Sequence, residues 1–132
     1  MAFEIRLTTQ EEDAHQAALF TWASWNEAKH PDLRKMYAIP NGGLRNKATG
    51  AKLKSQGVRA GVLDINLDVA RNGFHGLRIE MKRPGVPGTG QRPGRVSAEQ
   101  ASRAADLVSD GYKVAFCYGW EAARDVLIEY LS

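Results

Sequence analysis

The chain has 132 residues, of which 43% are hydrophobic and 25% charged, and its formal net charge is +3. That length suits one domain, residues 1–132, with a core of its own, and the balance is that of a soluble globular protein. The single cysteine, Cys117, excludes a disulfide framework. No apolar run approaches the roughly 18 residues of a membrane span, and residues 1–9 lack the apolar core of a signal peptide, so the expectation is an intracellular protein with no membrane partner. The mild positive charge permits nucleic-acid binding without demanding it.

In chain order, Thr9 and Glu12 stand at capping-box spacing and predict a helix over residues 9–29, stopping before Pro31. Ala18, Leu19, Trp22 and Trp25 recur on one face of it and are core candidates. Residues 35–40 read as short and extended, and they end in Asn41, Gly42 and Gly43, where a backbone can approach something closely. Residues 46–56 read as a short helix carrying Lys47, Lys52 and Lys54, with Gly57 as its stop. Together with Arg45 and Arg59, these lysines are candidate phosphate contacts or simply a solvated face.

Two strand patterns follow. Residues 57–64 lead into an alternation in which Leu63, Ile65, Leu67 and Val69 interleave with Asp64, Asn66 and Asp68. In residues 77–82, Leu77, Ile79 and Met81 interleave with Arg78, Glu80 and Lys82. The period of two gives each strand one apolar and one polar face, and Asn72-Gly73 between them signals a hairpin. Asp64, Glu80 and Lys82 can then meet on one face, Lys82 lying roughly 7 Å beyond Glu80. Two converging carboxylates make a hard oxygen site suited to Mg²⁺ or Mn²⁺. Register matters here: a plain two-residue turn at Asn72-Gly73 opposes Asp64 to Met81 and turns it away from Glu80. A shared face therefore requires an odd loop or a β-bulge between Val69 and Leu77.

Residues 83–95 are rich in proline and glycine and read as a long irregular loop. Arg83, Arg92 and Arg95, with no acid among them, make it a candidate arm on DNA that orders on binding, or simply a mobile loop. Ser97 and Gln100 form a second capping box, opening a helix over residues 97–109 with Gly111 at its end. Residues 112–118 are an apolar strand expected inside the sheet, which makes Cys117 a core residue. Residues 121–130 form a closing helix. The order is α-β-α-β-β-α-β-α, an α/β sandwich on a mixed sheet.

The D…ExK set on a hairpin resembles the PD-(D/E)xK nucleases. The wording "IPNGG…GVRAGVLDI…GLRIEMK…SAEQ…GYKVAFCYG" is similar to the small stand-alone VRR-NUC branch of phage and bacterial type. The likeness runs over residues 12–131. Leu63 stands where the family usually has Pro, and Ala60 where it has the second Arg of "VRR"; neither change removes a metal ligand. The resemblance implies a restriction-endonuclease-like fold and a Mg²⁺- or Mn²⁺-dependent endonuclease cutting DNA to leave a 5′-phosphate. It implies Asp64, Glu80 and the Met81 carbonyl as metal ligands, Lys82 and Gln100 beside them as catalytic residues, and an acid on the first helix, Glu12 rather than Glu11, completing the site. It places the Asn41-Gly42-Gly43 loop near the substrate. Small members of the family look like dimeric Holliday-junction resolvases, which implies branched DNA and a homodimer, with Trp22 or Trp25 offering interface surface.

Two readings compete with this one. The first is a nucleic-acid-binding module that keeps the fold without catalysis, against which the intact D…ExK set argues. The second is a Mg²⁺-dependent phosphatase, which needs a phosphate-cradling glycine loop leading into a helix, and Asn41-Gly42-Gly43 is only a faint version of one. Glu12 and Gln100 each have a plain alternative as helix caps. His15, His30 and His75 are scattered, and nothing pairs them with a nucleophile.

Overall fold

The structure, a computed structural model, describes residues 5–7, 11–40 and 47–132, for residues 47 and 48 the backbone only. Its elements are α1 (Glu12–Trp25), a 3-10 turn (Pro31–Lys35), β1 (Met36–Ala38), α2 (Lys47–Ser55), β2 (Ile65–Leu67), β3 (Leu77–Lys82), α3 (Ala98–Ser109), β4 (Lys113–Tyr118) and α4 (Trp120–Leu131). The four strands form one mixed sheet in the order β1-β2-β3-β4: β1, β2 and β3 run antiparallel, and α3 carries the chain to β4, parallel to β3. The α/β sandwich and its element order are those expected.

Alternation decides which face is which. Ile65, Leu67 and Val69 with Leu77, Ile79 and Met81 turn to one side and are buried beneath α1 and α4, while Leu63 is buried outside that cluster. From α1 come Ala18, Leu19, Trp22 and Ala23; from α4 come Trp120, Ala123, Leu127 and Tyr130. The Tyr130 hydroxyl donates to the Val69 carbonyl at 2.7 Å, so its one polar atom is satisfied within the core.

The hairpin between β2 and β3 resolves the register question. Arg71 and Phe74 exchange backbone hydrogen bonds of 3.2 and 2.8 Å across a two-residue turn. Asn72 (φ 53°) and Gly73 (φ 84°) both take the left-handed backbone that such a turn requires. The ladder beyond, however, pairs Leu67 with Leu77 and Ile65 with Ile79. Residues 68–70 thus stand against residues 75 and 76, one extra residue on the first strand. The expected bulge is present, and it shifts the register by the one step that brings Asp64 opposite Glu80.

Other expectations are corrected. Residues 57–64 do not form a strand: Gly57 (φ 97°) and Gly61 (φ 80°) break the extended backbone, and β2 starts only at Ile65. The first helix starts at Glu12 with Glu11 at its N-cap and no side-chain cap, so Glu12 is not the N3 partner of a capping box; Thr9 lies outside the described residues. The helix ends at Trp25, where the Asn26 amide donates to the Trp22 carbonyl, and Trp25 is 47% exposed and not core. Pro31 opens a 3-10 turn that periodicity does not reveal. Strand β4 is an edge of the sheet among the described residues, not an interior strand. The 83–95 loop closes on itself through Val86–Gln91 pairing and a Gly94 N–H to Arg83 carbonyl bond of 2.8 Å. Among the described residues, no helix is long and apolar enough to cross a membrane.

Candidate metal centre and active site

The polar face of the β2–β3 hairpin is where the expected site residues converge. Asp64 sits at the bend before β2, and its carbonyl accepts the Ile39 N–H at 2.7 Å, which extends the β1–β2 pairing by one step. Its own N–H donates to Glu80 Oε1 at 3.1 Å, and its Oδ2 accepts the Met81 N–H at 3.1 Å. A strand residue's N–H and C=O point to the same side, so the Met81 carbonyl also faces the Asp64 side. Glu12, from the first turn of α1, completes a group of three: one carboxylate oxygen each from Glu12, Asp64 and Glu80 lie within 4.8 Å of one another.

Glu80 is only 2% exposed and Lys82 only 7%. Burial, and next to it the Asp64 carboxyl alongside, push the Glu80 carboxyl up from 4.5 to about 8; the Lys82 charge works the other way and Glu12 adds a smaller push upward. Three crowded carboxyl groups, one of them buried, are costly as bare charges. They are the donor set of a hard divalent cation such as Mg²⁺ or Mn²⁺, which would hold them ionised. The residues fit such an ion.

Gln100 ties this face to α3. Its Oε1 accepts from Lys82 Nζ at 2.7 Å and from the Ser97 N–H at 3.0 Å, and its Nε2 donates to Glu80 Oε2 at 2.9 Å. The Ser97 hydroxyl accepts the Gln100 N–H at 3.1 Å. Capping and active-site contact, alternatives in the sequence, are both made by one amide. The orientation is forced: Oε1 meets two donors and Nε2 meets an acceptor. Lys82 Nζ also lies 3.7 Å from Glu80 Oε2.

Two glycines set how closely these parts fit. A Cβ on Gly61 would lie 2.7 Å from the Glu99 backbone, so the loop carrying Asp64 packs directly on the first turn of α3. A Cβ on Gly94 would lie 3.5 Å from the Lys82 side chain, so the closed 83–95 loop folds back over the lysine stem. The sequence shows the glycine-rich approach to Asp64 but not what Gly61 touches.

The candidate nucleic-acid contacts are more scattered. Asn41, Gly42, Gly43 and Arg45 lie outside the described residues. Lys54, Arg59, Arg83, Arg92 and Arg95 are all exposed. Of these, Arg83 lines a hollow of about 440 Å³ at the mouth of the cluster, with Glu11, Glu12, Asp13 and Gly94. Cys117 is buried, which pushes its thiol up to about 11 and makes it a core residue, as expected.

Neither the known family models nor the curated proteins include a match to this chain. A solved structure does match: a VRR_NUC domain protein superposes with a TM-score of 0.73 at 26% identity, covering 95% of this chain and 91% of that one. The chain shares the fold of that VRR_NUC domain protein over nearly its whole length. Leu63, at the position where the resembled family usually has proline, is 1% exposed. Ala60 is exposed and lines a shallow hollow against α3 with Glu99 and Arg103.

Proposed function

We propose that this chain is a VRR-NUC domain and a Mg²⁺- or Mn²⁺-dependent endonuclease that hydrolyses DNA phosphodiester bonds, with residues 1–132 acting as one domain. The observation that carries the reading is the group of Glu12, Asp64 and Glu80 oxygens within 4.8 Å of one another, with Lys82 buried beside it. Asp64, Glu80, the Met81 carbonyl and Glu12 would hold the ion. When bound, a divalent cation polarises the scissile phosphate and lowers the pKa of a water. Lys82 spends one N–H on Gln100 and keeps its others to orient the attacking water or to meet a phosphate oxygen as charge develops there. Gln100 fixes Lys82 and Glu80 relative to each other. No side-chain nucleophile is needed: water adds to phosphorus and the bond to the leaving oxygen breaks.

The exposed Lys54, Arg59, Arg83, Arg92 and Arg95, with the Asn41-Gly42-Gly43 loop and Arg45, would add salt-sensitive phosphate contacts. Branched DNA and a two-fold dimer are the finer part of the proposal. One cluster cuts one strand, and a symmetric partner supplies a second cluster of opposite polarity. Incubating the purified protein with linear, flapped and four-way-branched DNA, with Mg²⁺, with Mn²⁺ or with EDTA, tests both levels. Metal-dependent cutting lost in Asp64→Asn is expected, with paired nicks across the four-way junction and a light-scattering mass about twice that of the 14.5 kDa chain. Equal cutting by Asp64→Asn overturns the site; a monomer that prefers single flaps overturns only the finer part.

A further inference from the structure

The active-site reading leaves His15 unused. It is 6% exposed, and its Nδ1 accepts the Trp120 N–H at 3.0 Å. The ring proton is therefore on Nε2, and among the described residues that N–H has no partner. A buried N–H left unsatisfied costs about 1–3 kcal/mol, and such an atom calls for an acceptor.

The His15 ring forms part of the wall of a cavity of about 700 Å³, with Arg6, Pro84, Tyr118, Glu121 and Arg124. The cavity lies at the N-terminus of α4, whose N-cap, Gly119, offers no capping side chain. The first turn of a helix of this length favours an anion. It also adjoins the metal cluster: His15 is one turn along α1 from Glu12, Pro84 is two residues past Lys82, and the Gly119 N–H donates to the Lys82 carbonyl at 3.1 Å.

We infer that this cavity is a phosphate subsite, taking the phosphodiester next to the one being cut; the assignment rests on the nuclease reading. His15 Nε2–H and the Tyr118 hydroxyl are neutral donors, and Arg6 and Arg124 bring positive charge to the wall. Glu121 brings one negative charge, which suits a singly charged diester better than a doubly charged terminal phosphate. Arg124 stacks over the Trp120 ring, 5.2 Å from its centroid, and its Nε donates to Asp125 Oδ1 at 2.9 Å, so its guanidinium is held on the cavity wall with its other N–H groups left to meet a ligand. With two adjacent phosphates gripped, the strand is held in register over the cluster.

The test reads His15 directly. In ¹⁵N-labelled protein kept in EDTA, the Nε2–H resonance should move on titration with a short oligothymidylate, and at lower concentration than with inorganic phosphate. Thymidine, which has no phosphate, should leave it in place. In steady-state cleavage, an Arg6→Gln/Arg124→Gln variant, which leaves the His15–Trp120 bond intact, should raise KM about five-fold with kcat kept, the size of one charge-assisted hydrogen bond at a partly open site. An Nε2–H signal that ignores the oligonucleotide, or moves equally with thymidine, overturns the subsite, as does an unchanged KM in the rim variant. Failure of the nuclease reading is distinct, since it would show as no metal-dependent cutting of any DNA by the wild type, with the Nε2–H titration in EDTA still readable.

Discussion

On β3, Leu77, Ile79 and Met81 point toward α1 and α4, while Arg78, Glu80 and Lys82 point the other way, and both sets are largely buried. The apolar side is dry because it packs against helices. The polar side is dry because its charges are paired off: Arg78 with Asp68 at 2.9 Å and over the Tyr112 ring, and Glu80 and Lys82 with Gln100. A solvated strand face has no need of this. Burying a carboxylate and an ammonium costs several kcal/mol each unless partners offset it, so a buried polar face marks where chemistry is prepared rather than where stability is gained.

The largest expected effects separate the two faces. Ile79→Ala should cost about 2–5 kcal/mol of stability through the cavity it leaves. Glu80→Gln should instead abolish metal-dependent cleavage, a fall of about a thousand-fold or more, while stability holds. Its stability should also depend less on pH. Glu80 is raised from 4.5 to about 8 in the folded protein, so the folded state holds this proton more tightly than the unfolded chain. The stabilisation it gives is complete below about pH 4.5 and is lost as pH rises to about 8, on the order of a few kcal/mol. Urea titrations in EDTA at pH 5 and pH 9 should show that loss in the wild type and much less of it in Glu80→Gln, which resembles the protonated side chain. Added Mg²⁺ should restore stability at the upper pH. Parallel pH profiles for the two proteins would show that Glu80 is not the strained group.

A smaller effect sharpens the account of Gln100. Glu is favoured at this capping-box position, so Gln100→Glu should leave α3 as stable as before. It would, however, put a second carboxylate where an amide now donates to Glu80 at 2.9 Å. Cleavage should fall about ten- to a hundred-fold, and the Mg²⁺ concentration for half-maximal rate should shift, with helix content by circular dichroism unchanged. A variant with wild-type kinetics would reduce Gln100 to a helix cap.

Much of this arrangement could be read from the chain. The alternation through Leu63 to Val69 and Leu77 to Met81 marks the apolar face, Asn72-Gly73 gives the turn, and the need for Asp64 to face Glu80 demands the bulge found at residues 68–70. What could not be read are properties created by distant parts of the chain. Alternation leaves Glu80 and Lys82 on an open face; they are buried because α3, beginning at Ala98, returns across them. Residues 57–64 look extended until the positive φ of Gly57 and Gly61 is known, and periodicity carries no sign of φ. Strand β4 is apolar enough for an interior strand, yet sheet order, set by the α3 crossover, leaves it at the edge.

The last comparison sets those two glycines against each other. Both have left-handed backbone, φ 97° at Gly57 and φ 80° at Gly61, so alanine at either should cost about 1–2 kcal/mol in conformational strain. Their surroundings differ. A Cβ at Gly57 meets nothing within 4 Å, whereas at Gly61 it comes within 2.7 Å of the Glu99 carbonyl carbon and oxygen. That contact sets a Cβ, fixed by its own backbone, against backbone and cannot be relieved by a rotamer change, so the Asp64 loop and the first turn of α3 must separate by several tenths of an ångström. Gln100 is one residue beyond Glu99, and Asp64 is three residues beyond Gly61. The displacement therefore opens the cluster between Asp64 and the Glu80–Lys82–Gln100 group. Gly61→Ala should lose about ten-fold in kcat at saturating metal, because misplacements of this size weaken catalysis while leaving the fold standing. Gly57→Ala, with similar conformational strain, should keep its kcat. Thermal melts of both variants beside single-turnover rates separate the two effects. Equal rates in Gly57→Ala and Gly61→Ala would mean that the close fit of loop on helix serves packing alone, and that Asp64 is positioned by the hairpin register without help from α3.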